Sequence, residues 1–331
     1  MLDWLVFMEE RIESWKPHLL GFILPIVTIA GLLQGGWWSA SGIIWGLGIG
    51  PILDLISPEG IPSRNRELSP MPWNLLLFGH SITAICALAA LMYRAQLDGL
   101  IITTIVGAVS VGLVSGISAI VNAHEQGHRK KGSLIWRMGR LNLLWVMYMH
   151  YTTEHNHGHH RHYATDLDPA SSPKGRGLWT QILRTIPLQF ISAWKTHSDK
   201  GRRGLKNPIL HGLIIQITFV AGLYYGLSLD VALAFLLSAA VAIILLEFVN
   251  YLQHYGLRVK EGQKQTSAHS WECRKLWSRW TLLELPLHPA HHIKASDPMW
   301  NLRAQEGSPQ LPFGYYVCFW LALIPPLWKN I

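Results

Sequence analysis

Residues 229–257, LDVALAFLLSAAVAIILLEFVNYLQHYGL, decide the fold. The portion 229–250 is apolar over the ~20 residues that a helix needs to cross a hydrocarbon core. It runs on into Asn-Tyr-Leu-Gln-His-Tyr-Gly-Leu, so His254 stands at the end of the span. A membrane helix that delivers an imidazole to one face of the bilayer is the unit from which the rest of the chain is read.

Working outward, comparable apolar runs occur near 18–36, 37–56, 71–93, 98–122 and 207–227. The expected fold is an all-α integral membrane protein, a six-transmembrane-helix bundle. The first two spans form a hairpin through Gln34-Gly35-Gly36, and the last two meet near Ser228-Leu229-Asp230. Span four is expected to stay helical past the lipid. Two polar segments, 123–206 and 251–308, hold most of the 17 histidines and are read as one catalytic cap, making 1–331 a single domain. The apolar run 309–328 is broken by Pro325-Pro326. A seventh span there would carry Lys329 to the far side, so an interfacial or re-entrant segment is expected.

Charge orients the bundle. Of the 28 Lys and Arg residues, every one except Arg94 lies in 1–17, 57–70, 129–206 or 255–331, all on one side of the six spans. Basic residues collect in cytoplasmic loops. Both termini and both polar segments are therefore expected in the cytoplasm, under a bacterial-type inner membrane. The net charge of +8 reflects this bias and implies no nucleic acid. The first seventeen residues carry acids and lack a small-residue cleavage site, unlike a signal peptide. Cys86, Cys273 and Cys318 are far apart, which excludes a built-in rubredoxin or iron–sulfur centre and a disulfide framework.

The histidines fall into four clusters. His124 and His128, in Ala-His-Glu-Gln-Gly-His, share a helical face at i, i+4 and can clamp a metal. Three residues separate Glu125 from His128, one more than in the zinc-protease pattern. Glu-His-Asn-His-Gly-His-His, 154–160, places His155 and His159 on one face, with His160 free to turn to a second metal. His254 is the third cluster, and His288-Pro-Ala-His291-His292 is the fourth. Nine imidazoles exceed what one tetrahedral zinc needs, and two metals with open positions account for them. A metal transporter would hold its ligands within the spans, whereas these lie mostly beyond them. His150, His157, His162 and His269 are candidates for donors around the ligands. His18, His80, His197 and His211 read as packing or surface residues.

These residues resemble the membrane alkane hydroxylases, non-haem di-iron monooxygenases related to the integral-membrane fatty-acid desaturases. The resemblance runs from about Asn122 to Gln310. It is carried by residues 154–160 followed by Ala164-Thr165 and Asp168-Pro169-Ala170-Ser171-Ser172, by Asn250 to Leu257, and by Ala268-His269-Ser270-Trp271. It implies nine iron ligands, His124, His128, His155, His159, His160, His254, His288, His291 and His292, holding two irons in a cytoplasmic cap, with O2 as co-substrate. Glu125 and Glu154 would orient ligand histidines, the usual role of carboxylates beside metal-bound imidazole.

Gln253 is a third such candidate, standing where most of these enzymes have Glu. The last cluster reads Leu-Pro-Leu-His-Pro-Ala-His-His, not Leu-Gln-Arg-His-Ser-Asp-His-His. Gln253 and the ending Leu-Ile-Pro-Pro-Leu-Trp look more like the xylene monooxygenase branch. The implied reaction is hydroxylation of a terminal methyl group of an n-alkane to a primary alcohol. The alternatives are a xylene- or toluene-type methyl monooxygenase and a membrane lipid desaturase or hydroxylase. A hydrocarbon would reach the irons from the bilayer, with Trp45 as a candidate channel wall. Asp54 is expected to pair with a ligand histidine or a lysine. Electrons would come from a separate rubredoxin or ferredoxin with its reductase, drawn to Arg129, Lys130, Lys131, Arg202 and Arg203.

Overall fold

In the computed structural model, residues 14–61, 69–260 and 262–329 are described. Arg11, Arg64 and Arg66, which the charge argument uses, lie outside them. Six helices are long and apolar enough to cross a membrane: α1 Lys16–Gln34, α2 Gly36–Ile56, α3 Met71–Asp98, α4 Ile102–Gly127, α8 Pro208–Gly226 and α9 Leu229–His254. Between and after them lie α5 Leu134–Trp145, α6 over 151–162, α7 Leu178–Ser198, α10 Leu276–Thr281, α11 His288–Ile293, α12 Tyr315–Ala322 and α13 Pro325–Trp328. Among the described residues, β pairing amounts to two isolated bridges.

The six spans fall within a few residues of the expected ones, and the shifts have physical causes. Helix α3 runs on to Asp98 because Arg94 turns back over α1. Its Nε donates to Leu32 O at 2.9 Å, Nη2 to Leu33 O at 2.8 Å, and Nη1 to Asp98 Oδ2 at 3.3 Å. The lone basic residue on that side thus satisfies carbonyls that the end of α1 leaves open. Helix α4 continues unbroken to Gly127 and carries His124 with it. Gly112 lets α4 and α9 meet closely, since a Cβ there would lie 2.9 Å from Ser238 O on α9.

Among the described residues three segments are π-helical: Ile44–Ile49 in α2, Ser115–Val121 in α4 and His155–His159 in α6. Such turns are rare, bond i to i+5, and concentrate at functional sites. All three border the histidines or the cavity beneath them.

Residues 315–328 form two helices too short to span. They fold back onto the histidine-side ends of α2 and α9. Asp54 of α2 caps α12 from a distance: its Oδ2 accepts from the amides of Tyr316 at 3.1 Å and Val317 at 3.3 Å. Its Oδ1 accepts from Ser278 Oγ at 2.7 Å. The expectation that Asp54 pairs with a ligand histidine or a lysine is thereby corrected. It is buried against helix amides, which carry the positive end of the helix dipole. Trp328 of α13 packs 5.9 Å from Tyr251 and 5.7 Å from Tyr255.

Candidate metal centre

All nine expected histidines come together, in two groups. His124, His128, His155, His160 and His291 form one; His159, His254, His288 and His292 form the other. Within each group the candidate ligand atoms lie within 4.8 Å of one another. The groups adjoin, with His160 and His292 ring centroids 4.7 Å apart.

Local structure explains who joins whom. His124 lies in the last turn of α4, and His128 is its C-cap. The π-turn 155–159 brings residues five apart together, so His155 Nε2 lies 3.0 Å from His160 Nε2. The i, i+4 pairing of His155 with His159 expected for an α-helix is corrected: His159 belongs to the other group. On α11, spacings of three and four put His288, His291 and His292 on one face. His291 meets His160 at 3.0 Å, while His292 meets His288 at 2.9 Å.

The protonation pattern is fixed from outside the groups. His159 Nδ1 donates to Asp168 Oδ2 at 3.0 Å, and His254 Nδ1 donates to the His269 carbonyl at 3.1 Å. Each leaves an Nε2 lone pair facing inward, the arrangement that metal-binding histidines use. The Tyr151 hydroxyl lies 3.3 Å from His155 Nδ1, and the Tyr163 ring stacks 3.9 Å from His292. Burial, with crowding by other imidazoles, holds His155, His160, His288, His291 and His292 well below the usual 6.5. Burial and the Arg129 charge bring His128 to about 4. These imidazoles are neutral at physiological pH and ready to donate.

The residues fit a metal pair. His124, His128, His159 and His254 each bury an Nε2 with no hydrogen-bond partner. Leaving such an atom unpaired costs about 1–3 kcal/mol. Two imidazole nitrogens 3 Å apart can share only one proton, whereas both lone pairs can point at one cation. All-nitrogen donor sets of this kind suit iron, zinc, copper or nickel.

The carboxylates are arranged otherwise than the sequence suggests. Glu125 pairs with Arg129 and accepts from the Met299 amide. Glu154 is buried with its Oε1 unpartnered, and burial beside Asp168 and Glu247 raises its carboxyl well above the ordinary range. Gln253 donates to the Tyr315 hydroxyl at 3.1 Å. The carboxylate that orients one of the nine histidines, His159, is Asp168, which the sequence reading left without a role. Its Oδ2 also accepts from Ser171 Oγ at 2.6 Å, and its Oδ1 accepts from the Ala170 amide at 3.1 Å. Burial pushes its carboxyl up, yet His159 and Ser171 hold it below the usual value. The Asp-Pro turn nine residues after His159 was the available signal.

Beneath the histidines lies an apolar cavity of about 870 Å³, counted to its open mouth. His124 and His155 of one group and His288 of the other form its ceiling, with Tyr151, Asn250 and Gln253 beside them. Below, the walls include Gly46 and Leu47 of α2, Ile117 and Leu113 of α4, and Leu245 of α9; Phe319 of α12 also faces it. Trp45 lines a smaller side pocket that shares Leu24, Gly46, Ile117 and Tyr316 with it.

Comparison with known proteins agrees with this architecture. The family model described as fatty acid desaturase matches residues 101–322. An alkane 1-monooxygenase of Pseudomonas putida is 33% identical, over 98% of this chain and 85% of its own. Alkane 1-monooxygenase 2 of Alcanivorax borkumensis is 31% identical, over 93% and 86%. The xylene/toluene monooxygenase hydroxylase component of Pseudomonas putida is 26% identical, over 93% and 85%. Six apolar spans, nine converged histidines and these likenesses agree: the chain belongs to the alkane 1-monooxygenase family.

Proposed function

We propose that this chain is an O2-dependent di-iron monooxygenase that hydroxylates a terminal methyl group of an n-alkane or similar hydrocarbon to a primary alcohol. The observation that carries the reading is the cavity, whose ceiling contains histidines of both groups and whose walls are apolar membrane helices. His124, His128, His155, His160 and His291 would hold one iron, and His159, His254, His288 and His292 the other. Bound there, iron supplies the redox chemistry of O2 that zinc lacks. The chain's own residues do the rest. Asp168 and the His269 carbonyl keep two ligand nitrogens deprotonated. The apolar walls exclude water and align a linear substrate so that one end meets the ceiling. Such positioning is worth several kcal/mol and selects a terminal C–H bond over weaker internal ones.

Hydroxylation consumes two electrons and two protons per O2. Three cysteines, of which only Cys273 and Cys318 meet, are too few for an iron–sulfur or rubredoxin centre, so a separate rubredoxin or ferredoxin with its reductase would deliver the electrons. His128, His160 and His292 are the half-buried edge of the site, and Arg129, Lys130, Lys131 and Arg161 surround it in sequence. An acidic carrier would be steered there, with a rate that falls as salt rises. The positive-inside pattern supports an orientation with this face and both termini in the cytoplasm of a bacterial inner membrane.

Reconstitution with iron, a carrier and its reductase, followed by gas chromatography, tests the reading. The expected products are 1-octanol from octane and benzyl alcohol from toluene. Dominant 2-octanol, cresols or an alkene would overturn it. Gln253 and the xylene/toluene relative favour a second reading, preference for the alkylarene methyl group, which the same two substrates in competition resolve.

A further inference from the structure

Helix α7, Leu178–Ser198, is apolar on its outer side as well as within. Its protein side buries Gln181, Thr185 and Gln189 beside Leu178, Ile182 and Ala193. Gln181 Nε2 and Thr185 Oγ1 each donate to the Pro169 carbonyl at 2.8 Å, and Gln189 Nε2 donates to Glu247 Oε2 at 3.1 Å. Its outer side carries Trp179 at 51% exposure, Leu183 at 75% and Ile191 at 44%, with exposed Pro187 among them. Residues four apart follow one stripe of a helix. Arg184 and Lys195, both exposed, lie along one edge of that stripe. A helix bathed in water shows a polar outer face instead.

Its position explains the apolar outer stripe. Near its start, the Tyr251 hydroxyl of span α9 donates to Arg176 O at 2.7 Å. Near its end, Asn207, which caps span α8, donates from Nδ2 to Trp194 O at 3.2 Å. The helix therefore runs between the histidine-side ends of two spans, at the level where hydrocarbon gives way to headgroups.

We propose that α7 lies in the membrane interface on the histidine side. Its Trp179–Leu183–Pro187–Ile191 stripe sits among acyl chains, and Arg184 and Lys195 contact anionic lipid headgroups. In-plane helices of this composition bury their apolar face about 5–10 Å into that boundary, and basic residues there gain from anionic lipid. The seat also bears on the metal centre, because the carbonyl gripped by α7 belongs to Pro169, the residue after Asp168.

The test uses the full chain in nanodiscs of phosphatidylcholine and phosphatidylglycerol. Cys86→Ser removes the exposed thiol, and Cys273 and Cys318 are buried. Nitroxide labels at Leu183→Cys and, as a reference, Lys200→Cys are read by paramagnetic accessibility. Collisions with O2 should exceed those with a water-soluble nickel chelate several-fold at 183, and the ratio should invert at 200. Omitting phosphatidylglycerol should move the 183 label outward. Equal, water-like accessibility at 183 and 200 would overturn the proposal. So would spin–spin broadening at 183, which would assign the stripe to a second copy of the chain. A depth at 183 unchanged without phosphatidylglycerol would overturn the headgroup contact.

Discussion

Replacing Asp168 with Asn isolates one of the two metal groups. The carboxylate accepts three hydrogen bonds, from His159 Nδ1, Ser171 Oγ and the Ala170 amide. An amide of the same shape has one oxygen, and it cannot serve both edges. If the oxygen stays on Ala170, the NH2 confronts His159 Nδ1–H. The imidazole then moves its proton to Nε2, which removes a donor from the four-histidine group. If the amide flips, the Ala170 turn is lost instead. Losing such an orienting partner costs about 10–100-fold in metal affinity, or about 1.4–2.8 kcal/mol. The spans should stay folded, because their burial is untouched. Iron content and chelator competition on detergent-solubilised holoprotein provide the assay. The expected result is selective weakening of one iron, with the second held near its wild-type affinity. Unchanged affinity for both irons, or their equal loss, would refute the reasoning.

Three further outcomes are expected. Leu113→Ala deepens the cavity and should shift preference toward longer n-alkanes, whereas Ile117→Trp should shift it toward shorter ones, each read from product profiles across a series of chain lengths. Asp54→Ala strips a buried cap and the Ser278 contact, which should lower stability by about 2–4 kcal/mol as a thermal shift, and Asp54→Asn should restore part of it. In metal-free protein, the depressed His128 contributes stability that is fully present above pH 6.5 and is lost as pH falls toward about 4. Thermal melts of apo protein should therefore worsen across that window, and a flat profile would contradict the assignment.

Much of this was legible in the chain because apolar length and histidine spacing are local signals. Each span reads from one window of sequence, and His124 with His128, or His288 with His292, reads from one turn of helix. The partition of His155, His159 and His160 was not legible, because it depends on a π-turn that no spacing rule for α-helices anticipates. Asp168 was missed because it reaches His159 through a turn in which Ala164 has positive φ and Ser171 bridges its amide to the carboxylate. Glu125 and Glu154 stand beside ligands in sequence, yet adjacency along a helix points neighbours to different faces. Asp54 caps a helix more than 250 residues away, a contact no local pattern encodes.

The remote cap on α12 has a consequence for biogenesis. The nine clustered histidines lie within residues 124–292, and Phe319, which faces the cavity, comes later in the chain. During synthesis the donor set is complete before that part of the wall exists. The wall forms only when α12 returns to Asp54, on a span inserted long before. Until that docking the histidine ceiling faces a pocket that lacks Phe319. A chain ending before residue 315 would keep all nine histidines, yet its cavity would lack the wall that α12 supplies.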